Sequence, residues 1–334
     1  SPGAKPTQPR LPGVGLDRVF TLRTVEDTFR IKEYISTHRP GSAVLAGGGF
    51  IGLELAENLR ELRMAVTIVQ RPRHLMTPFD GDMAALIHGE MRRNGVRLAL
   101  GHTVEGFAET EEGVDVLLQG EAPLHGDMVV LAIGVTPDTA LARSAGLELG
   151  IKGSILVNDR METSVPDIYA VGDAVQVKHF VTGQDALLSL AGPANKQGRI
   201  AADNICGGDS RYTGSQGSSV IKVFGMTAAV TGVSEAAAKQ AGLEVDTVVL
   251  SPMNHAGYYP GGTAMTMKVV FERGTYRLLG AQIVGYDGVD KRIDVLATAI
   301  RAGLKATELK DLDLAYAPPY SSAKDPVNMA GFMI

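Results

Sequence analysis

One stretch of the sequence constrains the fold more than any other part of the chain. It is SAVLAGGGFIGLELAENLRELRMAVTIVQ, residues 42–70, in which an apolar segment, a glycine-rich turn, a helix-compatible segment and a second apolar segment follow one another. This order and length predict two parallel strands joined by a crossover helix, because a parallel pair needs such a long connection. The stretch therefore predicts an α/β fold.

The turn in this unit carries the spacing G-x-G-x-x-G. In that motif the first glycine makes a tight turn, the second lets a pyrophosphate contact the backbone, and the third lets the helix pack on the strand. The start of the helix also attracts phosphate charge. Because a strand and a helix flank the turn as the motif requires, we predict a dinucleotide site rather than a plain glycine turn, formed by Gly47, Gly48, Gly49, Phe50, Ile51 and Gly52.

The end of the second strand indicates which dinucleotide is preferred. NAD-binding proteins usually place an acid there to hold the ribose hydroxyls, whereas this chain has Gln70, followed by Arg71 and Arg73. A neutral amide and guanidinium groups do not repel a 2′-phosphate and can pair with it. We therefore expect the chain to use NADPH, or both NADPH and NADH. Arginines that are only solvated surface charges are the alternative.

The size, charge and cysteine content of the chain bound its class. At 334 residues it is long for one compact domain, so two or three domains are expected. The formal net charge of −5 argues against a nucleic-acid or anionic-membrane partner, and no apolar run approaches the roughly 18 residues of a transmembrane helix. The single cysteine, Cys206, cannot form an internal disulfide, and no secretion signal opens the chain. A reducing, cytoplasmic location is therefore predicted.

Later segments predict further elements. MAALIHGEMRRNGVRLAL predicts a helix, a turn and a strand, and GVDVLLQ predicts a strand of a small sheet. TSVPDIYAVGDAV, residues 163–175, predicts a short apolar strand that runs into helix-compatible sequence, and after it a polar loop and a helix, GPANKQGRIAADNIC, are predicted. From residue 218 onward, strand patterns separated by turns predict an antiparallel sheet, and residues 289–304 predict a helix with one apolar face.

This order of parts resembles the FAD-dependent pyridine nucleotide-disulfide oxidoreductases. In that family an NAD(P)-binding domain is inserted into an FAD-binding domain, and an α+β dimerisation domain follows. The fold class implied is α/β, with a Rossmann-like NAD(P) domain inserted in a partial FAD domain. The domains implied are a first FAD part at residues 1–16, an NAD(P)-binding domain at 17–139, a second FAD part at 140–213 and a dimerisation domain at 214–334.

Three segments carry the flavin part of the resemblance. TSVPDIYAVGDAV resembles the second FAD motif, in which the aspartate, here Asp173, accepts hydrogen bonds from the ribityl chain; a buried strand with a turn aspartate is the alternative. LAGPANKQGRIAADNI looks like the segment beside the isoalloxazine. AIGVTPDT is similar to the segment that returns from the NAD domain, although Asp138 stands where asparagine is usual. The cofactor-binding residues implied are Gly134, Gly172, Asp173, Ala174 and Ala194.

The C-terminal segments narrow the resemblance to one branch. NHAGYYPGG and AYAPPYSSAKDPVNMAGFMI are similar to the coenzyme A-disulfide reductase and persulfide reductase branch. The resemblance implies that Tyr259, or its neighbour Tyr258, and Tyr320 reach across a homodimer to the partner's substrate site as catalytic residues. A tyrosine hydroxyl can donate a hydrogen bond to a thiolate or relay a proton. Packing of a proline-rich interface is the alternative, and the apolar face of residues 292–304 also suggests a homodimer.

Members of this family begin with a glycine fingerprint for the ADP half of FAD and a helix that carries the redox cysteine. Neither occurs in residues 1–334, so the resemblance implies a chain without that N-terminal half. Cys206 is predicted to be structural, because it follows the C-terminal end of a predicted helix, whose negative pole disfavours a thiolate. His179 and His255 have no metal-ligand neighbours at suitable spacing, so no metal site is expected.

The activity implied is NAD(P)H-dependent reduction of coenzyme A disulfide, a persulfide or a similar small disulfide, through FAD and a cysteine outside these residues. Glu54, on the helix after the glycine turn, is expected to support cofactor geometry. An NAD(P)H oxidase or peroxidase is the alternative within the same class, since such relatives share nearly all of these features but should not need the tyrosine pair. A catalytically inactive nucleotide-binding and dimerisation fragment is the alternative from another class.

Overall fold

A computed structural model describes residues 1–334 of the chain. Three 3-10 turns cover Ile151–Gly153, Gly172–Ala174 and Ala306–Asp311. The helices are α1 (Val25–His38), α2 (Phe50–Glu61), α3 (Gly81–Arg93), α4 (Ala140–Ser144), α5 (Ala191–Ile205), α6 (Glu235–Gln240), α7 (Val289–Ala302) and α8 (Pro326–Phe332). None of them is both long enough and apolar enough to cross a membrane. The strands are β1 (Ala4–Pro6), β2 (Val19–Thr21), β3 (Ser42–Ala46), β4 (Ala65–Gln70), β5 (Val96–Leu100), β6 (Val104–Glu109), β7 (Val114–Leu118), β8 (Leu124–Gly126), β9 (Met128–Leu131), β10 (Val135–Pro137), β11 (Val177–Lys178), β12 (Asp185–Ala186), β13 (Ser219–Val223), β14 (Met226–Gly232), β15 (Val245–Leu250), β16 (Met265–Glu272) and β17 (Leu278–Gly285).

The chain divides into two compact units, which we call the inserted unit and the outer unit. The inserted unit comprises residues 6–135 and 221–228, and the outer unit comprises residues 1–5, 136–220 and 229–334. Strands β1 and β10 pair where the chain enters and leaves the inserted unit. The predicted α/β class is confirmed. The finer boundaries between an FAD domain and a dimerisation domain stay a prediction.

A five-stranded parallel sheet, in the order β2-β9-β3-β4-β5, is the core of the inserted unit. Strand β3 lies at its centre, and four of its five residues are buried, as expected of a parallel strand that is covered on both faces. Strand β4 pairs beside it after α2, which confirms the crossover predicted for residues 42–70. Strands β6, β7 and β8 form a separate antiparallel sheet, as predicted for GVDVLLQ.

The outer unit is built on a second five-stranded sheet, in the order β13-β14-β17-β16-β15. Strands β15, β16 and β17 pair antiparallel, as predicted. Every residue of β17 is buried, and α7 packs on this strand with Ile293, Leu296 and Ile300 in the shared core. Burial of each of these side chains contributes about 1.5–3 kcal/mol to folding. The sheet and α7 therefore form the main core of this unit.

This packing corrects the prediction that the apolar face of residues 292–304 suggests a homodimer. The buried apolar positions of α7, Ile293, Leu296 and Ile300 among them, pack against the sheet of the same chain, and Val295 and Leu304 are partly buried against the same core. A hydrophobic stripe at helical spacing shows that one face is buried, but it does not show what covers that face. A homodimer therefore needs support from other observations.

Residues 163–175 also differ from the prediction of a short apolar strand that runs into helix-compatible sequence. The backbone N–H of Thr163 donates to the carbonyl of Ile168 at 2.9 Å, so the segment turns back on itself. Asp167 adopts a φ of 63° at this turn, in the left-handed region that aspartate tolerates better than most residues. The following Gly172–Ala174 is a single 3-10 turn, and the next helix is α5. A strand needs a neighbouring strand along its length, and this segment makes only isolated bridges, from Tyr169 to Glu162 and from Val175 to Ile155.

Candidate functional site

The glycine-rich turn between β3 and α2 has the geometry that its motif requires. Gly47 has a φ of 118°, and a Cβ atom there would lie 2.2 Å from the carbonyl oxygen of Ala132. A Cβ atom on Gly52 would lie 2.1 Å from the carbonyl oxygen of Gly47, so the helix could not approach the turn. Gly49, in contrast, has no heavy atom within 4 Å of a Cβ position. The turn is therefore closely packed on its protein side and open at Gly49, where a ligand can approach.

The start of α2 is suited to an anion. Gly49 is the N-cap residue, no side chain caps the helix, and its first turn contains no acidic residue. Backbone N–H groups at such an end have no intrahelical acceptors, and the helix dipole favours negative charge there. Phe50 and Ile51 are partly buried in the first turn, and Glu54 is exposed one turn later. This geometry fits the pyrophosphate of a dinucleotide at the predicted residues.

The side chain of Gln70 contacts the glycine-rich turn directly. Its Oε1 atom accepts a hydrogen bond from the backbone N–H of Gly48 at 2.9 Å. Gln70 ends β4 and is partly buried, while Arg71 and Arg73 after it are exposed. Sequence analysis placed Gln70 at the ribose position but missed its bond to the turn. The end of β4 thus presents an amide and two cations beside the turn, and no carboxylate at the Gln70 position.

Strand β9 ends beside the same turn. A Cβ atom on Gly47 would approach not only Ala132 but also the backbone nitrogen of Ile133, at 3.0 Å. Gly134 follows with a φ of 100° and open space around it. Ligands of parallel α/β sheets bind at the carboxyl ends of the strands. The structure therefore brings the segment of Gly134 to the glycine-rich turn, as a nucleotide site would need.

A second candidate site lies in the outer unit, at the 3-10 turn Gly172–Ala174. Gly172 has a φ of 81°, and its backbone N–H donates to Oε1 of Gln197 at 2.7 Å. A Cβ atom on Gly172 would lie 3.9 Å from Cβ of Ala194. The structure thus brings the predicted residues Gly172 and Ala194 together. Asp173 is partly buried between them and the buried Ala174.

The start of α5 beside this turn is also open to an anion. Leu190 is the N-cap residue, no side chain caps the helix, and the first turn contains no acidic residue. A Cβ atom on Gly192 would meet no heavy atom within 4 Å. Free N–H groups and the helix dipole favour negative charge at this end. The turn and the helix start fit the part of FAD that the resemblance assigns to them, although the contact of Asp173 with the ribityl chain stays a prediction.

Gln197 is a residue that sequence analysis missed. It is buried, and it lies on the buried face of α5 with Ala201 and Asn204. An amide on a buried helix face needs a polar partner. A glutamine at a buried position of the predicted helix was therefore the sequence feature that indicated a contact here. Its partner, the N–H of Gly172, lies 25 positions away in the chain, which helical periodicity does not reveal.

Four tyrosines lie on two segments of the outer unit, the first tyrosine segment (residues 254–264) and the second tyrosine segment (residues 315–325). The backbone N–H of Ala256 in the first segment donates to the carbonyl of Ser321 in the second at 3.1 Å. The side chains of Tyr259 and Tyr320 are 43% and 71% exposed. The two predicted tyrosines therefore lie on segments that are hydrogen-bonded to each other, and both side chains are accessible.

The other two tyrosines form a pair that sequence analysis missed. The hydroxyl oxygens of Tyr258 and Tyr316 lie 2.9 Å apart and share a hydrogen bond. This bond, with desolvation and the charge of Tyr258, raises the pKa of Tyr316. The tyrosine content of both segments was visible in the sequence, but the pairing joins residues 58 positions apart. The pair adds a second link between the two tyrosine segments.

Cys206 lies at the C-cap of α5 and is exposed. Its own backbone N–H donates to the carbonyl of Ala202 at 3.1 Å, as expected of a residue that ends a helix. The predicted position of the cysteine is thus confirmed. No group of three or more histidine, cysteine, aspartate or glutamate side chains is arranged to hold a metal ion.

The chain is similar to one solved structure and two curated proteins over almost its whole length. A crystal structure of reduced CoADR-RHD from Bacillus anthracis is 47% identical, has a TM-score of 0.96 and covers 99% of this chain. The NAD(P)H sulfur oxidoreductase (CoA-dependent) of Pyrococcus abyssi is 35% identical over 97% of this chain. The NADH oxidase of Methanocaldococcus jannaschii is 34% identical over 98%. The chain spans 60%, 72% and 73% of the lengths of these three proteins, respectively.

Two family descriptions cover almost the whole chain. Residues 1–198 match the pyridine nucleotide-disulphide oxidoreductases, and residues 218–326 match the dimerisation domain of the same proteins. Family members use FAD together with NAD(P)H. The first match contains both the glycine-rich turn and the Gly172–Ala174 turn, and the second contains both predicted catalytic tyrosines. The chain belongs to the pyridine nucleotide-disulphide oxidoreductase family.

Proposed function

We propose that this chain is part of an FAD-dependent oxidoreductase that uses NAD(P)H to reduce coenzyme A disulfide, a persulfide or a similar small disulfide. The observation that carries the proposal is the hydrogen bond between the two tyrosine segments, from Ala256 to Ser321 at 3.1 Å. It places Tyr259 and Tyr320 on adjoining segments, as a shared disulfide site would need. The relatives whose names include CoA support the same substrate class.

The overall reaction balances without any further reagent. NAD(P)H supplies a hydride, which carries two electrons, and solvent supplies one proton. The sulfur–sulfur bond of the disulfide breaks, and two thiols form. When FAD is bound, it supplies the redox chemistry between the nicotinamide and sulfur. The residues of this chain bind and orient the reactants and supply or accept protons.

Each group of residues has one part in the proposal. The turn from Gly47 to Gly52 and the start of α2 hold the pyrophosphate of NAD(P)H, with Gly49 as the point of closest approach. Asp173 and the start of α5 hold part of FAD, and Gln197 keeps the Gly172–Ala174 turn in place. Glu54 and Gly134 lie along the nucleotide. Tyr259 and Tyr320 donate a hydrogen bond or a proton to the sulfur that leaves as a thiolate.

Cys206 is not the redox thiol of this proposal, because it is at the negative end of α5. We place that thiol outside residues 1–334. The dimerisation domain supports a homodimer in which the tyrosine segments of one protomer serve the partner's site. A cytoplasmic location, where free thiols stay reduced, is part of the proposal.

The experiment is steady-state kinetics of the full-length protein, purified with FAD, with NADPH and coenzyme A disulfide as substrates. Tyr320→Phe is expected to lower kcat/KM for the disulfide about tenfold or more, since proton transfer typically contributes about 10²–10⁴-fold. Tyr276→Phe is the control, because Tyr276 is also an exposed tyrosine of the outer unit, at 42%, and lies on neither tyrosine segment. Equal rates for Tyr320→Phe and the wild type would rule out the proposed role of this tyrosine.

The second candidate function is an NAD(P)H oxidase. The observation that favours it is the NADH oxidase of Methanocaldococcus jannaschii, whose 34% identity nearly equals the 35% of the sulfur enzyme. Oxygen consumption is therefore recorded beside disulfide reduction in the same preparation. Rapid NADPH oxidation that consumes oxygen and ignores coenzyme A disulfide would favour the oxidase.

The nucleotide preference has its own test. We propose that Arg71 pairs with the 2′-phosphate of NADPH. Arg71→Ala is expected to raise the KM for NADPH about tenfold and to leave the KM for NADH within about twofold, because NADH has no 2′-phosphate. Arg30→Ala, an exposed arginine on α1, is the control for the change in net charge. An unchanged preference for NADPH in the Arg71 variant would mean that this arginine is only a surface charge.

A further inference from the structure

A buried guanidinium joins the two tyrosine segments of the outer unit. Arg292 on α7 is fully buried, and its Nη2 atom lies 2.8 Å from the carbonyl oxygen of Asn254 and 3.3 Å from that of Tyr320. Its Nε and Nη2 atoms also contact both carboxylate oxygens of Asp325, at distances from 2.9 to 3.2 Å. Asn254 begins the first tyrosine segment, and Asp325 ends the second. One side chain therefore bonds to both segments.

Asp325 completes this junction from the other side. Its Oδ2 atom accepts from the hydroxyl of Ser321 at 2.6 Å, and its Oδ1 atom accepts from the backbone N–H of Val327 at 2.9 Å, which caps α8. Burial raises the pKa of Asp325, but the hydrogen bonds from Arg292, Ser321 and Val327 outweigh burial and hold the pKa below its ordinary value. The remaining nitrogen of Arg292, Nη1, donates to the carbonyl of Gly288 at 3.0 Å. Every nitrogen of the guanidinium group thus has an acceptor.

A buried ion pair of this kind is weak evidence for stability, because apolar residues of similar volume are often at least as stable. Its charged hydrogen bonds are directional instead. A guanidinium is planar, and its donors have fixed angles, so the acceptors on Asn254, Tyr320 and Asp325 are held at fixed relative positions. The pair is therefore suited to setting the geometry of the segments that meet on it.

We propose that Arg292 is a positioning residue for the disulfide half-reaction. It holds the two tyrosine segments in a single arrangement, so that Tyr259 and Tyr320 can serve the same disulfide site. This inference rests on the proposed function for its reaction and on the observed contacts for its geometry. Arg292 does not touch the reactants in this proposal; it acts through the tyrosines.

The first test measures the geometry without activity, by hydrogen–deuterium exchange of the full-length protein with FAD. Arg292→Lys keeps the charge beside Asp325, but a lysine has one nitrogen and cannot reproduce the planar set of contacts. We expect amides of both tyrosine segments to exchange about tenfold faster in this variant, since local opening requires less free energy. Asp325→Asn, which keeps a side-chain oxygen for the N-cap, is a second variant with the same expected result.

Lys268→Met is the matched control. Lys268 is buried in β16 of the same unit, and its Nζ atom lies 2.8 Å from a carboxylate oxygen of the partly exposed Glu235, so the substitution removes the buried cation of another ion pair. Neither residue belongs to a tyrosine segment. Exchange of both segments in the control is expected to stay within about twofold of the wild type. Equal exchange in the Arg292 variants and the control would overturn the proposal.

The second test separates the half-reactions by stopped flow. Arg292→Lys is expected to slow the step with coenzyme A disulfide about tenfold and to leave flavin reduction by NADPH within about twofold. If Arg292 acts through Tyr320, the double variant Arg292→Lys/Tyr320→Phe loses little more than Tyr320→Phe alone, because coupled residues are not additive. Parallel losses in both half-reactions, or losses that simply multiply, would overturn the proposal. A wild-type protein that does not reduce coenzyme A disulfide contradicts the proposed function, and the exchange data then decide whether Arg292 holds the segments.

Discussion

The side-chain oxygen of Gln70 accepts a hydrogen bond from the backbone N–H of Gly48 at 2.9 Å, so the end of β4 is tied to the nucleotide turn between its first two motif glycines, Gly47 and Gly49. This bond uses the oxygen of the amide. The NH₂ group of the same amide lies 3.5 Å from the carbonyl oxygen of His74. The position that usually carries an acid for the ribose thus shapes the turn and remains uncharged. The contact with the turn needs only an acceptor oxygen at residue 70, so a substitution can change the charge of this residue and keep the contact.

Gln70→Glu is therefore expected to change nucleotide preference without unfolding the turn. A carboxylate oxygen can still accept the N–H of Gly48, but its negative charge repels a 2′-phosphate and suits the ribose hydroxyls of NADH. The ratio of kcat/KM for NADPH to that for NADH should fall at least about tenfold, which is about 1.4 kcal/mol. Gln119→Glu, an exposed position in the same unit, controls for the added charge. The explanation fails if both variants change the ratio equally.

Two glycines of the nucleotide turn should respond differently to alanine. A Cβ atom on Gly52 meets the carbonyl oxygen of Gly47 at 2.1 Å, so Gly52→Ala is expected to lower the free energy of unfolding by about 1–3 kcal/mol. Gly49 has open space, so Gly49→Ala should lower stability by less than about 1 kcal/mol but weaken nucleotide binding, because the methyl group occupies the place of closest approach. Denaturant unfolding and nucleotide titration of both variants check this. Equal nucleotide affinity of Gly49→Ala and the wild type would contradict the placement of the nucleotide at Gly49.

Gln197→Ala should loosen the Gly172–Ala174 turn. The partly buried N–H of Gly172 loses its acceptor at 2.7 Å, and an unpaired donor costs up to about 1–3 kcal/mol when it is fully buried. We expect faster release of FAD as well as lower stability, because the turn carries Asp173. Thermal unfolding and the fluorescence of released flavin measure the two effects. Gln240→Ala, at the exposed end of α6, is the control and should change neither.

Stability of the chain should fall in mild acid because of His88. This side chain is buried, and its Nε2 atom accepts the backbone N–H of Leu75 at 3.0 Å, so it must be unprotonated there. Burial, with the nearby charges of Arg92 and His74, lowers the pKa of His88 from 6.5 to about 4. Between these values the unfolded chain binds more protons than the folded chain, so stability decreases as the pH falls from about 6.5 to about 4. The loss from this residue is on the order of 2–3 kcal/mol.

His88→Gln isolates this contribution, since a glutamine oxygen can accept the same N–H and does not titrate. Melting temperature measured from pH 7 to pH 4 should fall less steeply in this variant than in the wild type. His38→Gln, at an exposed position, should keep the wild-type slope. Identical slopes for His88→Gln and the wild type would show that another group causes the acid sensitivity.

Much of this molecule was readable from the sequence because the relevant forces are local. The G-x-G-x-x-G spacing specifies a turn in which Gly47 and Gly52 leave no room for a Cβ atom, and the apolar segments on either side of α2 specify parallel strands. The sequence also placed Cys206 at a helix end correctly. Each of these features depends on neighbours within one turn or one crossover.

The prediction for residues 163–175 was wrong for the opposite reason. The segment has the apolar content of a strand, but a strand forms only where another strand offers hydrogen bonds, and Thr163 instead bonds to Ile168. The apolar face of α7 was interpreted correctly as buried, yet its cover is the sheet of the same chain rather than a partner. Apolar content and periodicity indicate that a surface is buried, but they do not indicate which element covers it.

The tertiary structure alone decided which polar groups meet. Gln197 binds Gly172 across 25 positions, Tyr258 meets Tyr316 across 58, and Arg292 reaches Asn254 across 38 and Asp325 across 33. A buried polar group must find an acceptor or donor, but many residues of the chain could supply it, and only the packing of sheets and helices brings one of them within 3 Å. The local sequence thus determined the elements and the nucleotide turn, whereas the contacts that hold the tyrosine segments together arose from long-range packing.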